Sequence, residues 1–163
     1  MSDTPQFRRA IESDLDALLV FMRDYYAFDG HGFDADKAGV ALTALLRDSR
    51  LGVVWLILDD DAPVGYVVLC FGYSLEWLGR DAFVDELYLR EQYRGRGWGR
   101  VALTFIESAA REAGVQALHL GVVPGNVRAL ELYRRVGFHE HDSKFLSKWI
   151  ARDSSKPQGR HGY

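Results

Sequence analysis

The sequence predicts an α/β (α+β) domain, a mixed and mostly antiparallel central sheet flanked by helices. Three observations predict it. Two runs of β-forming residues, Val53 to Leu58 and Val64 to Phe71, are separated by Asp59-Asp60-Asp61-Ala62-Pro63 and read as an antiparallel hairpin. A strand, Ala82 to Leu89, leads through a glycine-rich loop into a long helix, about Trp98 to Ala113. Neither a repeat nor a linker divides the 163 residues, a length that suits one domain.

The elements follow in order. Phe7 to Ile11 reads as a first strand. Ser13 is the expected helix cap, with Asp16 in the first turn, and Leu15, Leu18, Leu19 and Met22 recur at helical spacing to about Tyr26. Asp29-Gly30-His31-Gly32 is a loop. Asp34 or Asp36 opens a second helix through Leu42, Leu45 and Leu46. Val101, Phe105 and Ala109 mark one face of the third helix, which Gly114 ends. Ala117 to Val122 is a strand. Asn126 caps a helix to about Val136, Gly137 stops it, and a last strand is expected at Phe145 to Ile150. The domain therefore spans residues 1–150. The Ser-, Lys-, Pro- and Gly-containing tail 151–163 is expected to be disordered.

The net charge is −3, from 20 basic and 23 acidic side chains. A chain that grips phosphate backbones is usually strongly basic, so nucleic acid is not the expected partner. The charges are segregated. Arg90 to Arg100 holds four arginines against Glu91, whereas Glu12 to Asp36 holds seven acids against Arg23. No secretory pattern opens the chain. The uncharged stretch Ala62 to Leu75 is too short to span a membrane and carries Pro63, Gly65 and Gly72. The expectation is a cytoplasmic protein that does not associate with membranes.

Arg94-Gly95-Arg96-Gly97-Trp98-Gly99 is the most informative stretch. It lies between a strand and a helix. Glycines permit close backbone approach and positive φ, and a helix start presents free N–H groups and the positive end of its dipole. The physical reading is a phosphate or pyrophosphate site. A nucleoside-triphosphate loop needs Lys then Ser or Thr after its last glycine, but Arg100 and Val101 follow here. A dinucleotide fingerprint needs an acid about 20 residues on, where Leu118-His119-Leu120-Gly121 stands.

These residues resemble those of the GNAT superfamily of N-acetyltransferases. Arg94 to Gly99 matches its Gln/Arg-x-x-Gly-x-Gly/Ala signature. Asn126, Ala129, Tyr133 and Gly137-Phe138 match its second element, and the order of strands and helices is similar from Phe7 to Ile150. Within the superfamily the pattern is similar to diamine and polyamine acetyltransferases of the spermidine/spermine type. The resemblance implies a sheet that splays between its fourth and fifth strands, with acetyl-CoA as co-substrate and no metal. The loop residues Arg94, Gly95, Arg96, Gly97, Trp98, Gly99 and Arg100 would hold the pyrophosphate. The backbone of Leu87, Tyr88 and Leu89 would pair with the pantetheine arm, and Asn126 and Ala129 would lie along it. It also implies a homodimer.

Acetyl transfer to an amine needs a proton acceptor, oxyanion donors and a proton for the leaving thiolate. Asp85 and Glu86 are adjacent on the strand before the loop, so a regular strand would point only one of them at the thioester. Glu86 is the favoured base and Asp85 its rival. Tyr133 stands at the family's general-acid position. Tyr25, Tyr26, Phe28 and Asp29, with Tyr73 and Trp77 opposite, form an expected aromatic and acidic lip for a small cationic amine. A protein lysine or N-terminal amine is the alternative acceptor, and a non-catalytic CoA sensor is the alternative of another class.

Other reactive side chains read as structural. Cys70, the one cysteine, lies mid-strand between Leu69 and Phe71 and is expected to be a buried thiol. His119 lies on an apolar strand as a packing residue. His139, Glu140 and His141 lack further ligands and read as a polar strand edge rather than a metal site.

Overall fold

The computed structural model describes residues 3–150. The expected tail 151–163 lies outside the described residues. Five strands form one sheet in the order β1-β2-β3-β4-β5: β1 (Gln6–Arg9), β2 (Gly52–Asp59), β3 (Ala62–Ser74), β4 (Gly79–Leu89) and β5 (Ala117–Leu120). The first four pair antiparallel, and β5 joins β4 in parallel. Four helices flank the sheet: α1 (Leu15–Phe28), α2 (Ala35–Arg47), α3 (Trp98–Glu112) and α4 (Val127–Arg135).

Strand alternation sends apolar side chains to both faces. Val54, Leu56, Tyr66 and Val68 meet Leu18 and Phe21 of α1 and Leu42 of α2. Val67, Leu69, Ala82 and Val84 meet Ile106 and Ala110 of α3 on the other face. The stripe that α3 buries is Ala102, Leu103, Ile106 and Ala110, one residue round from the expected Val101, Phe105 and Ala109. Val101 is exposed, while the Phe105 ring stacks on Phe7 at 4.2 Å.

Two expected caps form. Asp34, not Asp36, accepts from Lys37 N at 3.1 Å, and Asn126 Oδ1 accepts from Ala129 N at 3.2 Å. Ser13 does not cap α1. It lies inside a 3-10 turn, Glu12–Asp14. The Asp14 carboxylate takes the Ile11 N–H at 2.9 Å and two guanidinium bonds from Arg8 at 3.0 and 2.8 Å. A charged acceptor with three donors outcompetes a serine hydroxyl at this bend.

The last expected strand, Phe145 to Ile150, does not form; residues 144–150 have no regular structure. Its sequence pairs apolar with apolar and polar with polar (Phe-Leu, Ser-Lys, Trp-Ile), so neither strand face collects the apolar set. Phe145, Leu146, Trp149 and Ile150 are all exposed. His139 to His141 are therefore no strand edge either. Arg134 donates to Glu140 at 2.6 Å, and the His141 ring packs against Trp77.

Two features of β4 position the site. It pairs with β5 only from Asp81 to Val84, so beyond Val84 the two strands part. On its other side the register jumps: Leu69 faces Val84 and Val68 faces Glu86, which leaves Asp85 as the extra residue of a β-bulge. The bulge breaks alternation. Val84 packs with Ile106 and Ala110 of α3, while Glu86, two residues on, bonds to α1 across the sheet.

Candidate active site

The parting of β4 and β5 opens a cleft of about 1360 Å³ bounded by the end of α1, the glycine loop and α4. The loop ends at Gly97, with φ +83° in the left-handed region, immediately before α3. Gly95 is also left-handed, at φ +78°, and a Cβ there would come within 2.9 Å of Arg128 Nη2. Only glycine enters such geometry without strain. The first intrahelical bond of α3 runs from Val101 N to Gly97 O at 3.1 Å, and no side chain caps this helix start. Its first amides are thus free donors at the dipole's positive end, beside the cleft-lining Arg94, Arg100 and Arg128. The donor set fits a pyrophosphate. Gly99, in the first turn, lets α4 close in, with Leu132 Cδ2 only 3.4 Å from where a Cβ would stand.

Most of the expected loop residues line the cleft: Arg94, Gly95, Gly97, Gly99 and Arg100, with Leu87, Tyr88 and Leu89 of β4 and Asn126 and Ala129 of α4. Two side chains do not. Trp98 is buried to 1% exposure in the core with Ile57, Val64 and Ala102. Arg96 stacks over Tyr93 and Trp98 at 5.7 and 5.3 Å.

The two β4 carboxylates differ sharply. Asp85, on the bulge, is exposed and lines the cleft. Glu86 is buried, accepting from the Tyr26 hydroxyl at 2.9 Å and the Tyr66 hydroxyl at 2.7 Å. Burial, reinforced by the Glu86 charge, pushes the Tyr66 phenol far above the usual tyrosine range. Tyr133, on α4, is half-buried and also lines the cleft. Burial and then the charge of Asp29 raise its pKa, so it keeps its proton.

The lip is partly as expected. Tyr25, Tyr26, Phe28 and Asp29 line the cleft, together with His31 and Gly32. Tyr73 and Trp77 do not. Tyr73 is 77% exposed near the tip of the β3–β4 hairpin, and Trp77 packs against His119 and His141. Both lie toward the start of β4, at the opposite end from the splay. Sequence reading missed Arg128, Glu131 and Arg135 on the cleft side of α4; their spacing of three and four residues from one another was the available signal. It also missed Tyr66, whose role depends on register.

Cys70 is half-buried, and burial followed by the charges of Asp85 and Glu86 pushes its thiol up to about 12. His119 stands 3.5 Å from Asp81 and packs with Phe83 and Trp77, a structural position. Among the described residues no group of three His, Cys, Asp or Glu could hold a metal. No helix of the described residues is long and apolar enough to cross a membrane.

A sheet that parts beside a glycine-rich, uncapped helix start is the framework that the sequence resemblance implies, and comparison with known proteins agrees on the family. The acetyltransferase (GNAT) family profile matches residues 17–138, and the chain belongs to that family. It is 35% identical over 74 residues to a thialysine N-epsilon-acetyltransferase from Bos taurus, covering 45% of this chain and 43% of the other. The chain spans about half the length of the curated relatives it matches first. An integron cassette protein from the mobile metagenome of Cole Harbour Salt Marsh shares the fold at TM-score 0.81 and 33% identity, over 91% of this chain and 92% of that one. A predicted acetyltransferase from Clostridium acetobutylicum, solved with acetyl-CoA, shares the fold at TM-score 0.76 and 16% identity, over 89% and 96%.

Proposed function

We propose that this protein is an acetyl-CoA-dependent N-acetyltransferase that passes the acetyl group directly to a primary amine, and that the amine is small and cationic. One observation carries the reading: an open carboxylate, Asp85, and a protonated phenol, Tyr133, line the same cleft as the free amides that begin α3. Acetyl-CoA supplies an activated thioester. The amides of the α3 start and Arg94, Arg100 and Arg128 bind its phosphates. The β4 edge at Leu87 and Tyr88, past the pairing with β5, orients its arm, and Asn126 stands alongside.

The acceptor enters as an ammonium ion and must lose a proton before its nitrogen can attack. Asp85 takes that proton from the cleft. The C–N bond forms as the C–S bond breaks; Tyr133 donates its proton to the departing sulfur and regains one from the new amide nitrogen, which leaves a neutral amide, the CoA thiol and one proton on Asp85 for release to solvent. The Tyr133 pKa, raised by burial and by Asp29, keeps the hydroxyl protonated for that step. A second reading gives the proton to Glu86 through the Tyr26 hydroxyl, because Tyr26 both lines the cleft and bonds to Glu86. Cationic selectivity rests on Asp29 and on the aromatic faces of Tyr25, Tyr26 and Phe28. The likeness to a thialysine N-epsilon-acetyltransferase supports an amine acceptor of this kind.

The test is CoA-thiol release with acetyl-CoA over diamines, polyamines, basic amino acids, aminoglycosides and peptides. Release with the small cationic amines and not with peptides is the expected result. Selective release with peptides would move the acceptor to protein amines. Binding of acetyl-CoA without release for any amine would make the protein a CoA sensor instead.

A further inference from the structure

Arg94 touches both halves of the cleft. From the glycine loop its Nε donates to the Leu89 carbonyl at 2.8 Å, which holds it across the end of β4. From there its guanidinium lies over the Phe28 ring at 4.4 Å and near the Tyr88 ring at 5.4 Å. Phe28 is the last residue of α1 and 66% exposed, so the acceptor lip has little other cover at this point. The lip continues as a chain of rings: Phe33 on Tyr26 at 5.6 Å, Tyr26 on Tyr25 at 5.9 Å, Tyr25 on Tyr88 at 6.1 Å. Arg94 therefore closes a loop between the cofactor side and the acceptor side.

We infer that Arg94 is a coupling residue: its contact with Phe28 makes occupation of the CoA loop order the acceptor lip. This rests on the acetyltransferase reading of the cleft. A guanidinium has five N–H donors in a planar fork, and Nε is committed to Leu89, so the outer nitrogens remain to meet a phosphate. An anion that fixes those nitrogens fixes the plane against which Phe28 stacks. By linkage, a lip that holds Phe28 in place favours the anion in turn, by the same factor. Phe28 acts through Arg94 and is a positioning residue for the cofactor, as well as part of the lip.

The experiment measures CoA affinity by calorimetry and amide hydrogen exchange over residues 26–32, with and without CoA. It uses wild type, Phe28→Leu, Phe28→Trp, Arg94→Gln and the double variant Phe28→Leu/Arg94→Gln. A surface cation–π contact of this kind predicts CoA binding about two- to fivefold weaker in Phe28→Leu. Phe28→Trp should bind at least as well as wild type, and Phe28→Leu should add no further loss to Arg94→Gln. CoA should slow lip exchange in wild type and Phe28→Trp, but not in Phe28→Leu. Wild-type affinity in Phe28→Leu, losses that multiply in the double variant, or equal lip protection in Phe28→Leu would each overturn the coupling. A wild-type protein that binds no CoA would overturn the acetyltransferase reading itself, and the coupling with it.

Discussion

The Tyr26 hydroxyl donates to Glu86 Oε1 at 2.9 Å, which ties the last turns of α1 to the strand that borders the cleft. Tyr66 supplies the partner bond to Oε2 at 2.7 Å from β3. A buried carboxylate thus draws three elements together. Tyr26→Phe removes one of its donors and leaves the charge less compensated, which costs about 1–3 kcal/mol. Urea unfolding should show a lower midpoint with an unchanged slope. Because Tyr26 also lines the cleft, KM for the amine should rise in the same variant.

The proton acceptor is separable by two substitutions. Asp85→Asn should reduce turnover at pH 7 by about 10²–10⁴-fold if Asp85 is the base, with little effect on CoA affinity. Glu86→Gln should then act mainly on stability. The reverse pattern, with Tyr26→Phe as damaging as Glu86→Gln, would transfer the role to Glu86 through Tyr26. Steady-state rates set beside calorimetric CoA binding make the distinction.

Tyr133→Phe should lower kcat while leaving CoA binding near wild type. Its pH dependence has a definite sign. Burial and Asp29 raise the Tyr133 pKa above its usual value of 10.0. The resulting stability is fully present below pH 10 and is lost as pH rises through the folded-state pKa. Tyr66 behaves likewise, so the informative quantity is a difference. Above pH 10, thermal stability should fall less steeply in Tyr133→Phe than in wild type.

Cys70 should be inert. With its pKa pushed up to about 12 from 9.0, the thiolate fraction at pH 8 is about a thousandfold below that of a free thiol. Alkylation by iodoacetamide should be correspondingly slow in the native protein and fast in urea. Cys70→Ala should keep its turnover, which would exclude an acetyl-cysteine intermediate.

Local chemistry was legible in the sequence. Gly95 and Gly97 announced their left-handed geometry, Asn126 announced its cap, and the Asp59 to Pro63 turn announced the hairpin. Each depends on a few neighbouring residues. What was illegible depends on pairing. Asp85 and Glu86 look equivalent until a one-residue bulge opposite Val68 and Leu69 exposes the first and buries the second. Tyr73 and Trp77 have suitable chemistry for a lip, but the β3–β4 hairpin extends to Ser74 and Gly79 and carries them away from the splay. Phe145 to Ile150 has β-forming residues but lacks an alternation that would give a strand a buried face.

The bulge at Asp85 also sets how this segment tolerates change in length. Upstream of it, Ala82 and Val84 face α3; downstream, Glu86 and Tyr88 face α1 while Leu87 and Leu89 take over the α3 side. The switch comes from one residue counted out of register. Deleting Asp85 would restore regular pairing with Glu86 and Tyr88 still facing α1, and would cost the cleft its open carboxylate. The extra residue is therefore tied to the site rather than to the packing: it places a carboxylate in the cleft while the core side chains before and after it keep their faces.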